Sequence, residues 1–145
     1  RSCREYKRDA KIDGIEVTEM VQRGVETIIG ARQDRTFGPT VMVGLGGIYV
    51  EVMKDVSFRA APVDRETALE MIAELRSFPL LLGVRGEERK DIDAVAEVIV
   101  MLSHLVSQCR RITDIEINPL VAYDVGEGAK AVDVRILFEV REEVR

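Results

Sequence analysis

The sequence has little of what several classes of protein require. Its two cysteines, Cys3 and Cys109, form no CxxC or metal-binding spacing, which argues against a disulfide framework and favours a reducing, cytoplasmic setting. No apolar run reaches the roughly 20 residues that a membrane-spanning helix needs. Acidic residues outnumber basic ones by 26 to 21, and the net charge of -5 argues against nucleic acid as the main partner. We therefore expect small-molecule substrates rather than a nucleic acid or a membrane.

The composition is that of an ordinary globular domain. Hydrophobic residues make up 46% and charged residues 32% of the 145 residues, a balance typical of folded chains. This length is enough for one domain with a real core, and we predict a single domain over residues 1–145. The chain begins with Arg1 rather than methionine and opens on a polar segment, so we expect it to be a fragment of a longer protein.

The first half of the chain has the pattern of antiparallel strands. Two runs rich in Ile, Val and Thr, Gly14–Val21 and Val25–Ala31, flank Gln22–Gly24 and predict a β-hairpin. Alternation in the first run would place Glu19 on an apolar face, which indicates either a bulge or a carboxylate that faces a ligand. After a break at Phe37–Pro39, further strands are predicted at Thr40–Leu45, Ile48–Met53 and Ser57–Val63.

The glycine-rich segment Gly44–Gly47 lies between two of these predicted strands. A dinucleotide fingerprint would run from a strand into a helix, whereas the residues after Gly47 are strand-like. We interpret the segment as a tight hairpin or bulge whose glycines need a positive φ.

Two helices are predicted in the second half. Asp64 is a suitable N-cap for a helix that runs toward Pro79, and Asp91 for a longer helix that ends near Cys109. His104, the single histidine, falls on the polar face of the longer helix, so we interpret it as a surface residue. The apolar face of that helix comprises Ile92, Val95, Ala96, Ile99, Leu102 and Val106. Together with the strands, these helices predict an α+β fold with a mainly antiparallel sheet.

Polar residues alternate with isoleucines in the predicted strand Ile112–Asn118. On its own, such a row could be the solvated side of an edge strand. The polar side of this strand carries Asp114, Glu116 and Asn118.

A second predicted strand, Ala131–Ile136, changes the interpretation of that row. A chain that folds back through Gly126–Gly128 would bring Asp133 beside Asn118. One carboxylate and one amide oxygen, with phosphate oxygens in the remaining positions, suit a Mg²⁺ ion bound beside ATP.

The ordered motifs of the chain resemble the ATP-grasp domain of ADP-forming (NDP-forming) acyl-CoA synthetases, which is related to that of succinyl-CoA synthetase β subunits. The resemblance covers about Lys11 to Leu137 and implies the C-terminal subdomain of an ATP-grasp fold, with two longer helices. It is carried by Glu116-Ile117-Asn118-Pro119-Leu120 and Ala131-Val132-Asp133-Val134-Arg135-Ile136, preceded in order by Glu19-Met20-Val21, Phe37-Gly38-Pro39, Gly44-Leu45-Gly46-Gly47 and Gly83-Val84-Arg85-Gly86.

The resemblance implies three sets of site residues. Asn118 and Asp133 match the family's magnesium ligands. Glu116 matches the catalytic glutamate that faces a phosphohistidine. The residues that match the nucleotide-binding positions, toward the adenine and ribose of ATP or ADP, are Glu19, Met20, Val21 and Glu26.

The implied reaction is the reversible conversion of acyl-CoA, ADP and phosphate into acid, CoA and ATP. The phosphohistidine and CoA would belong to a partner domain or subunit, and an N-terminal ATP-grasp lobe would complete the nucleotide site. Two alternatives stay open: a non-catalytic, ligase-like regulatory module of an acetyltransferase, and another ATP-grasp carboxylate ligase. The presence of Glu116, Asn118 and Asp133 favours a catalytic protein over the regulatory module.

Overall fold

The architecture comes from a computed structural model, which describes residues 9, 11, 13–46, 54–84 and 86–139. Within these residues the chain forms six strands, two helices and a 3₁₀ turn at Phe78–Leu80. The strands are β1 (Val25–Asp34), β2 (Gly38–Leu45), β3 (Val56–Ala60), β4 (Ile112–Ala122), β5 (Ala129–Ala131) and β6 (Val134–Phe138). The helices are α1 (Arg65–Ala73) and α2 (Ile92–Gln108).

All six strands belong to one antiparallel sheet. Their order is β3-β2-β1-β4-β5, and β6 pairs with the part of β4 that precedes the segment paired with β5. The register between β1 and β4 shifts between Thr27 and Ile29, so that Asn118 and Pro119 lie in a bulge of β4. Bulges re-aim side chains and are frequent beside functional sites.

Both helices pack against one face of the sheet and form the core with it. Asp91 caps α2 and Asp64 caps α1 through side-chain hydrogen bonds from backbone N–H groups, as predicted. The predicted apolar face of α2 is buried along its length. No helix in the described part of the chain is long and apolar enough to cross a membrane.

The opposite face of the sheet, which we call the open face, carries polar and partly exposed side chains. On β1, Arg32 points to this side, and on β4 the open-face residues alternate with buried ones. The residues that define the open face are Arg32, Thr40, Met42, Phe58, Asp114 and Glu116.

The predicted strand Gly14–Val21 is wrong, whereas the strand predicted at Val25–Ala31 is confirmed as part of β1. Residues 13–24 form no strand, and Ile15 and Val17 are each 91% exposed. These apolar side chains are therefore not buried against any other described part of the chain. Gly24 is not a hairpin turn but packs against the end of β4, where an added Cβ would lie 2.4 Å from the carbonyl oxygen of Ala122.

Other predicted element boundaries need correction. The first helix ends at Ala73 rather than near Pro79. Buried Asp55 accepts hydrogen bonds from the backbone N–H groups of Arg76 and Ser77, at 2.9 and 2.8 Å, and thereby holds the chain in a turn. The strand predicted at Ser57–Val63 ends earlier, at Ala60, and the strand predicted at Ile48–Met53 lies outside the described residues.

The prediction of a positive φ in Gly44–Gly47 is wrong for both described glycines of the segment. Gly44 and Gly46 lie where space is limiting. A Cβ on Gly44 would be 2.9 Å from the carbonyl oxygen of Asp55, and one on Gly46 would be 3.0 Å from the Cβ of Glu26. Close approach of neighbouring chain segments therefore accounts for both glycines. Gly47 lies outside the described residues.

Candidate functional site

Strand β4 presents the predicted polar residues on the open face. Ile115 and Ile117 are 1% and 7% exposed and point toward the helices. Glu116 lies between them and points the other way, into the open face. The predicted alternation in this strand is therefore confirmed.

Asn118 and Asp133 are neighbours across two adjacent chain segments. The backbone N–H of Asn118 donates to the carbonyl oxygen of Asp133 at 3.0 Å, and that of Val132 donates to Pro119 at 3.0 Å. The predicted proximity of the two residues is confirmed. The single strand predicted at Ala131–Ile136 is instead divided into β5 and β6, which pair with β4 on either side of Asn118 and Pro119.

Asp91 fixes the turn that leads to Asp133. One carboxylate oxygen accepts the N–H of Ala94 at 3.1 Å, and the other accepts those of Gly126 and Gly128 at 2.9 and 3.1 Å. The bond from Ala94 lowers the pKa of Asp91 against an opposing effect of burial, and the two glycine bonds lower it further. A charged carboxylate thus joins the start of α2 to the β4–β5 turn.

Glu116 is engaged on both carboxylate oxygens. Arg135 Nη2 lies 3.0 Å from Oε2 of Glu116, and the same guanidinium nitrogen lies 3.8 Å from Oδ1 of Asp114. On the other side, Asn118 Nδ2 donates a long hydrogen bond of 3.4 Å to Oε1 of Glu116. This contact places the Asn118 side chain on the same face as Glu116.

The residues at this point fit a Mg²⁺ ion that shares its coordination with phosphates. The amide nitrogen of Asn118 donates to Glu116, which leaves its carbonyl oxygen available as a ligand, and the backbone of Asp133 is hydrogen-bonded to that of Asn118 on the adjacent segment. Magnesium prefers oxygen ligands and usually retains waters or phosphate oxygens. The described ranges contain no group of three or more His, Cys, Asp or Glu side chains placed to hold a metal ion. A Mg²⁺ ion held by Asn118 and Asp133 would therefore need phosphate oxygens or waters to complete its coordination. The ligand role itself stays a prediction.

The predicted nucleotide-binding residues lie toward one end of β4. Glu26 on β1 and Lys130 on β5 both pair with Val121, and Lys130 Nζ contacts Glu19 Oε1 at 2.6 Å. This ion pair raises the pKa of Lys130. Met20 is exposed and Val21 partly buried. Glu19 thus pairs with a lysine of β5 instead of lying in a strand. The binding roles of all four residues stay predictions.

A shallow groove extends along the open face beyond Glu116. It encloses about 200 Å³ and includes Arg32, Met42 and Phe58. Phe37 and Arg59 line a depression that continues it. The groove leaves room for another group beside Glu116.

Sequence interpretation missed Arg135 as a partner of Glu116 and Lys130 as a partner of Glu19. The signal for Arg135 was present, because a register that sets Asp133 beside Asn118 also sets Arg135 opposite Glu116. No comparable signal linked Glu19 to Lys130, since the segment before β1 follows no regular pattern of pairing.

Comparison with known proteins identifies the family. A family model described as an ATP-grasp domain matches residues 1–138. The chain therefore belongs to the ATP-grasp domain family, and the expected α+β fold with an antiparallel sheet and two longer helices is confirmed.

Two curated relatives are ADP-forming ligases. The chain is 46% identical over 138 residues to the β subunit of ADP-forming acetate–CoA ligase I from Pyrococcus furiosus, covering 95% of this chain and 59% of that protein. It is 44% identical over 136 residues to the ADP-forming 4-hydroxybutyrate–CoA ligase of Nitrosopumilus maritimus, covering 94% of this chain and 20% of that protein. The chain thus spans only part of each relative.

Solved structures of acetyl-coenzyme A synthetase 1 from Candidatus Korarchaeum cryptofilum are similar to this chain. The complex with coenzyme A, Ca-AMPCP and HgCl⁺ matches with a TM-score of 0.82 and 41% identity, over 94% of this chain and 58% of that one. The complex with coenzyme A and Mg-AMPPCP, whose phosphohistidine segment points towards the nucleotide-binding site, matches with a TM-score of 0.78 and 42% identity, over 82% and 55%.

Proposed function

We propose that this chain supplies the nucleotide- and magnesium-binding part of an ADP-forming acyl-CoA synthetase, with acetyl-CoA as the first substrate to test. The reaction would convert acyl-CoA, ADP and phosphate into acid, CoA and ATP through a phosphohistidine held elsewhere. The observation that carries the proposal is the placement of Asn118 and Asp133 side by side next to Glu116. Relatives that are ADP-forming acid–CoA ligases at 46% and 44% identity support it.

The order of the candidate residues along β4 supports the same function. Val121, which pairs with Glu26, lies three residues after Asn118 in β4, or about 10 Å away at the rise of an extended strand. Glu116 lies two residues before Asn118, in the direction away from Val121. A nucleotide whose ribose lies at Glu26 would therefore extend its phosphates toward Asn118 and Asp133, and its terminal phosphate toward Glu116.

In this arrangement Asn118 and Asp133 would hold Mg²⁺ through one neutral and one charged oxygen. The metal would screen the charge of the transferred phosphoryl group. Glu116 would accept a hydrogen bond from the imidazole of the phosphorylated histidine and stabilise its positive charge. Residues Glu19 to Val21 and Glu26 would contact adenine and ribose. The groove beside Glu116 offers space for the incoming histidine segment.

The proposed function requires portions that the relatives possess beyond the span matched here. We propose an N-terminal ATP-grasp lobe, which closes over the nucleotide, and a CoA-binding domain or subunit that bears the histidine, in a cytoplasmic enzyme. His104 does not suit that role, because it is exposed on α2, on the side of the sheet opposite Glu116. The matched span of 59% of the β-subunit relative supports this division.

The test uses the full-length protein that contains this chain, together with its CoA-binding portion. Acetyl-CoA, ADP, phosphate and Mg²⁺ should yield ATP, and omission of any one of them should abolish the yield. Because the acyl group is a separate question, the protein is also incubated with γ-labelled ATP, which should give an acid-labile phosphohistidine without any acyl substrate. Formation of AMP and pyrophosphate, or no labelling and no ATP with any acyl-CoA, would contradict the proposal.

A further inference from the structure

Arg135 is the cross-strand partner of Glu116 and has no role in the proposed mechanism. Arg135 on β6 lies directly opposite Glu116 in the register of β4 and β6. Its Nη2 atom lies 3.0 Å from Oε2 of Glu116 and 3.8 Å from Oδ1 of Asp114. One guanidinium group therefore bridges two carboxylates that project from the same face of β4.

The charges around Glu116 make this bridge significant. Asp114 and Glu116 are separated by one residue and share a face, and Asp133 lies nearby, two residues before Arg135. Like charges on neighbouring positions of a sheet repel each other, and the phosphates of a bound nucleotide would add to the repulsion. Arg135 offsets it at Glu116, and its planar guanidinium can engage two carboxylates at once, which a lysine ammonium does less well.

A simple surface ion pair is the plainer interpretation. The side chains of Arg135 and Glu116 are 61% and 32% exposed, and pairs with such exposure contribute little to stability. The chain has a matched example on its helical side, where Arg65 contacts Asp93 at 2.7 Å and is 59% exposed. That pair joins α1 to α2 far from the open face, so it serves as a control for the effect of losing an exposed arginine.

We propose that Arg135 is a positioning residue, which holds the Glu116 carboxylate in place for the partner's phosphohistidine and acts on phosphoryl transfer only through Glu116. The inference rests on the proposed function. Arg135 bonds to Oε2 of Glu116 while Asn118 bonds to Oε1, so the carboxylate is held between the Asn118 amide and the guanidinium. Without Arg135 the carboxylate would lose this fixed direction.

The experiment compares variants of the full-length enzyme. Arg135→Gln should lower kcat for acyl-CoA-dependent ATP formation by about 10- to 100-fold, a typical effect of a misplaced catalytic group. The KM for ADP and the Kd for Mg·ADP, measured by calorimetry, should change by less than about threefold, since Arg135 acts on the transfer step rather than on nucleotide binding. Arg135→Lys should recover part of the lost kcat, and Arg65→Gln should behave as wild type.

A double variant tests whether Arg135 acts through Glu116. In single-turnover phosphorylation by ATP, Arg135→Gln should cause no further loss when added to Glu116→Gln, because coupled residues are not additive. Independent, multiplicative losses would overturn the inference. So would a raised Kd for Mg·ADP with unchanged kcat, which would mean that Arg135 binds the nucleotide itself.

The two proposals fail in different ways. If wild-type enzyme forms neither ATP nor phosphohistidine, the proposed function is wrong. If wild type is active and Glu116→Gln is slower, but Arg135→Gln has wild-type kcat, only the role of Arg135 is wrong. Should Arg135→Gln fail to fold, Arg135→Lys is measured instead: a reduced kcat with unchanged Kd supports the inference, and a wild-type kcat overturns it.

Discussion

Replacing Asp91 with alanine should destabilise the fold more than the loss of an ordinary helix cap, because one carboxylate holds two elements together. The substitution removes the N-cap bond from Ala94 and also the bonds from Gly126 and Gly128. These two glycines belong to the turn between β4 and β5. The variant therefore loosens both the start of α2 and the turn that leads to Asp133.

The expected decrease in the free energy of unfolding is the sum of the contributions of the three hydrogen bonds. Replacing an N-cap residue with alanine costs about 1 kcal/mol. Each glycine bond is charge-assisted but lies near the surface, where water replaces part of it, so we assign ~0.5 kcal/mol to each. The total of about 2 kcal/mol should lower the Tm of a chain of this length by roughly 6–8 °C.

The stability lost in Asp91→Ala should be largest near neutral pH and smaller in acid. The hydrogen bond from Ala94, and those from Gly128 and Gly126, lower the pKa of Asp91 although burial opposes them. In the unfolded chain the pKa of an aspartate is about 3.9. A carboxyl group whose pKa is lower in the folded state stabilises the fold fully above that value. Its contribution is lost as the pH falls through the folded-state pKa. The difference between wild type and Asp91→Ala should thus be constant near neutral pH and shrink below about pH 4.

Urea denaturation of the 145-residue chain, followed by circular dichroism, measures these differences. The matched control is Asp64→Ala, since Asp64 caps α1 through one backbone bond, from Thr67 at 2.8 Å, and bonds to no second element in the described part of the chain. It should lose less stability than Asp91→Ala. Equal losses in the two variants, or a loss in Asp91→Ala that stays the same at the lowest pH where wild type remains folded, would refute the reasoning.

Two further predictions concern His104 and the isolated chain. His104→Gln should change the free energy of unfolding by no more than about 0.5 kcal/mol, because His104 is exposed on α2. The variant should also leave acid-labile phosphorylation of the full-length enzyme intact. Loss of that phosphorylation would contradict the proposed location of the phosphohistidine. The isolated chain should fold cooperatively but bind Mg·ATP weakly, because it would lack the charge-assisted phosphate contacts of the proposed N-terminal lobe. Calorimetry tests the affinity, and a micromolar Kd or ATP formation by the chain alone would contradict this prediction.

The elements that sequence predicted well are those specified by local pattern. The apolar face of α2 follows from helical spacing, and its N-cap from Asp91 alone. The alternation of Ile115 and Ile117 with Glu116 specifies which face of β4 is buried. The proximity of Asn118 and Asp133 could be predicted because a single turn joins β4 to the returning chain.

The predictions that failed depended on distant parts of the chain. Gly14–Val21 has the alternation of a strand, but a strand also needs a partner, and Ile15 is almost fully exposed. Gly44 and Gly46 are glycines because residues remote in sequence, Asp55 and Glu26, approach them closely. A local pattern can indicate that a residue is unusual without indicating which distant neighbour makes it so.

The claim that Asn118 and Asp133 hold the magnesium of a bound nucleotide is tested most directly by Asp133→Ala in the full-length enzyme. The side chain of Asp133 is exposed, so the fold and Tm should be unchanged. Acyl-CoA-dependent ATP formation should be abolished even at saturating Mg²⁺. Asn118→Ala should act likewise but less severely, because water replaces a neutral oxygen more easily than a charged one. Wild-type turnover by Asp133→Ala at saturating Mg²⁺ would contradict the assignment.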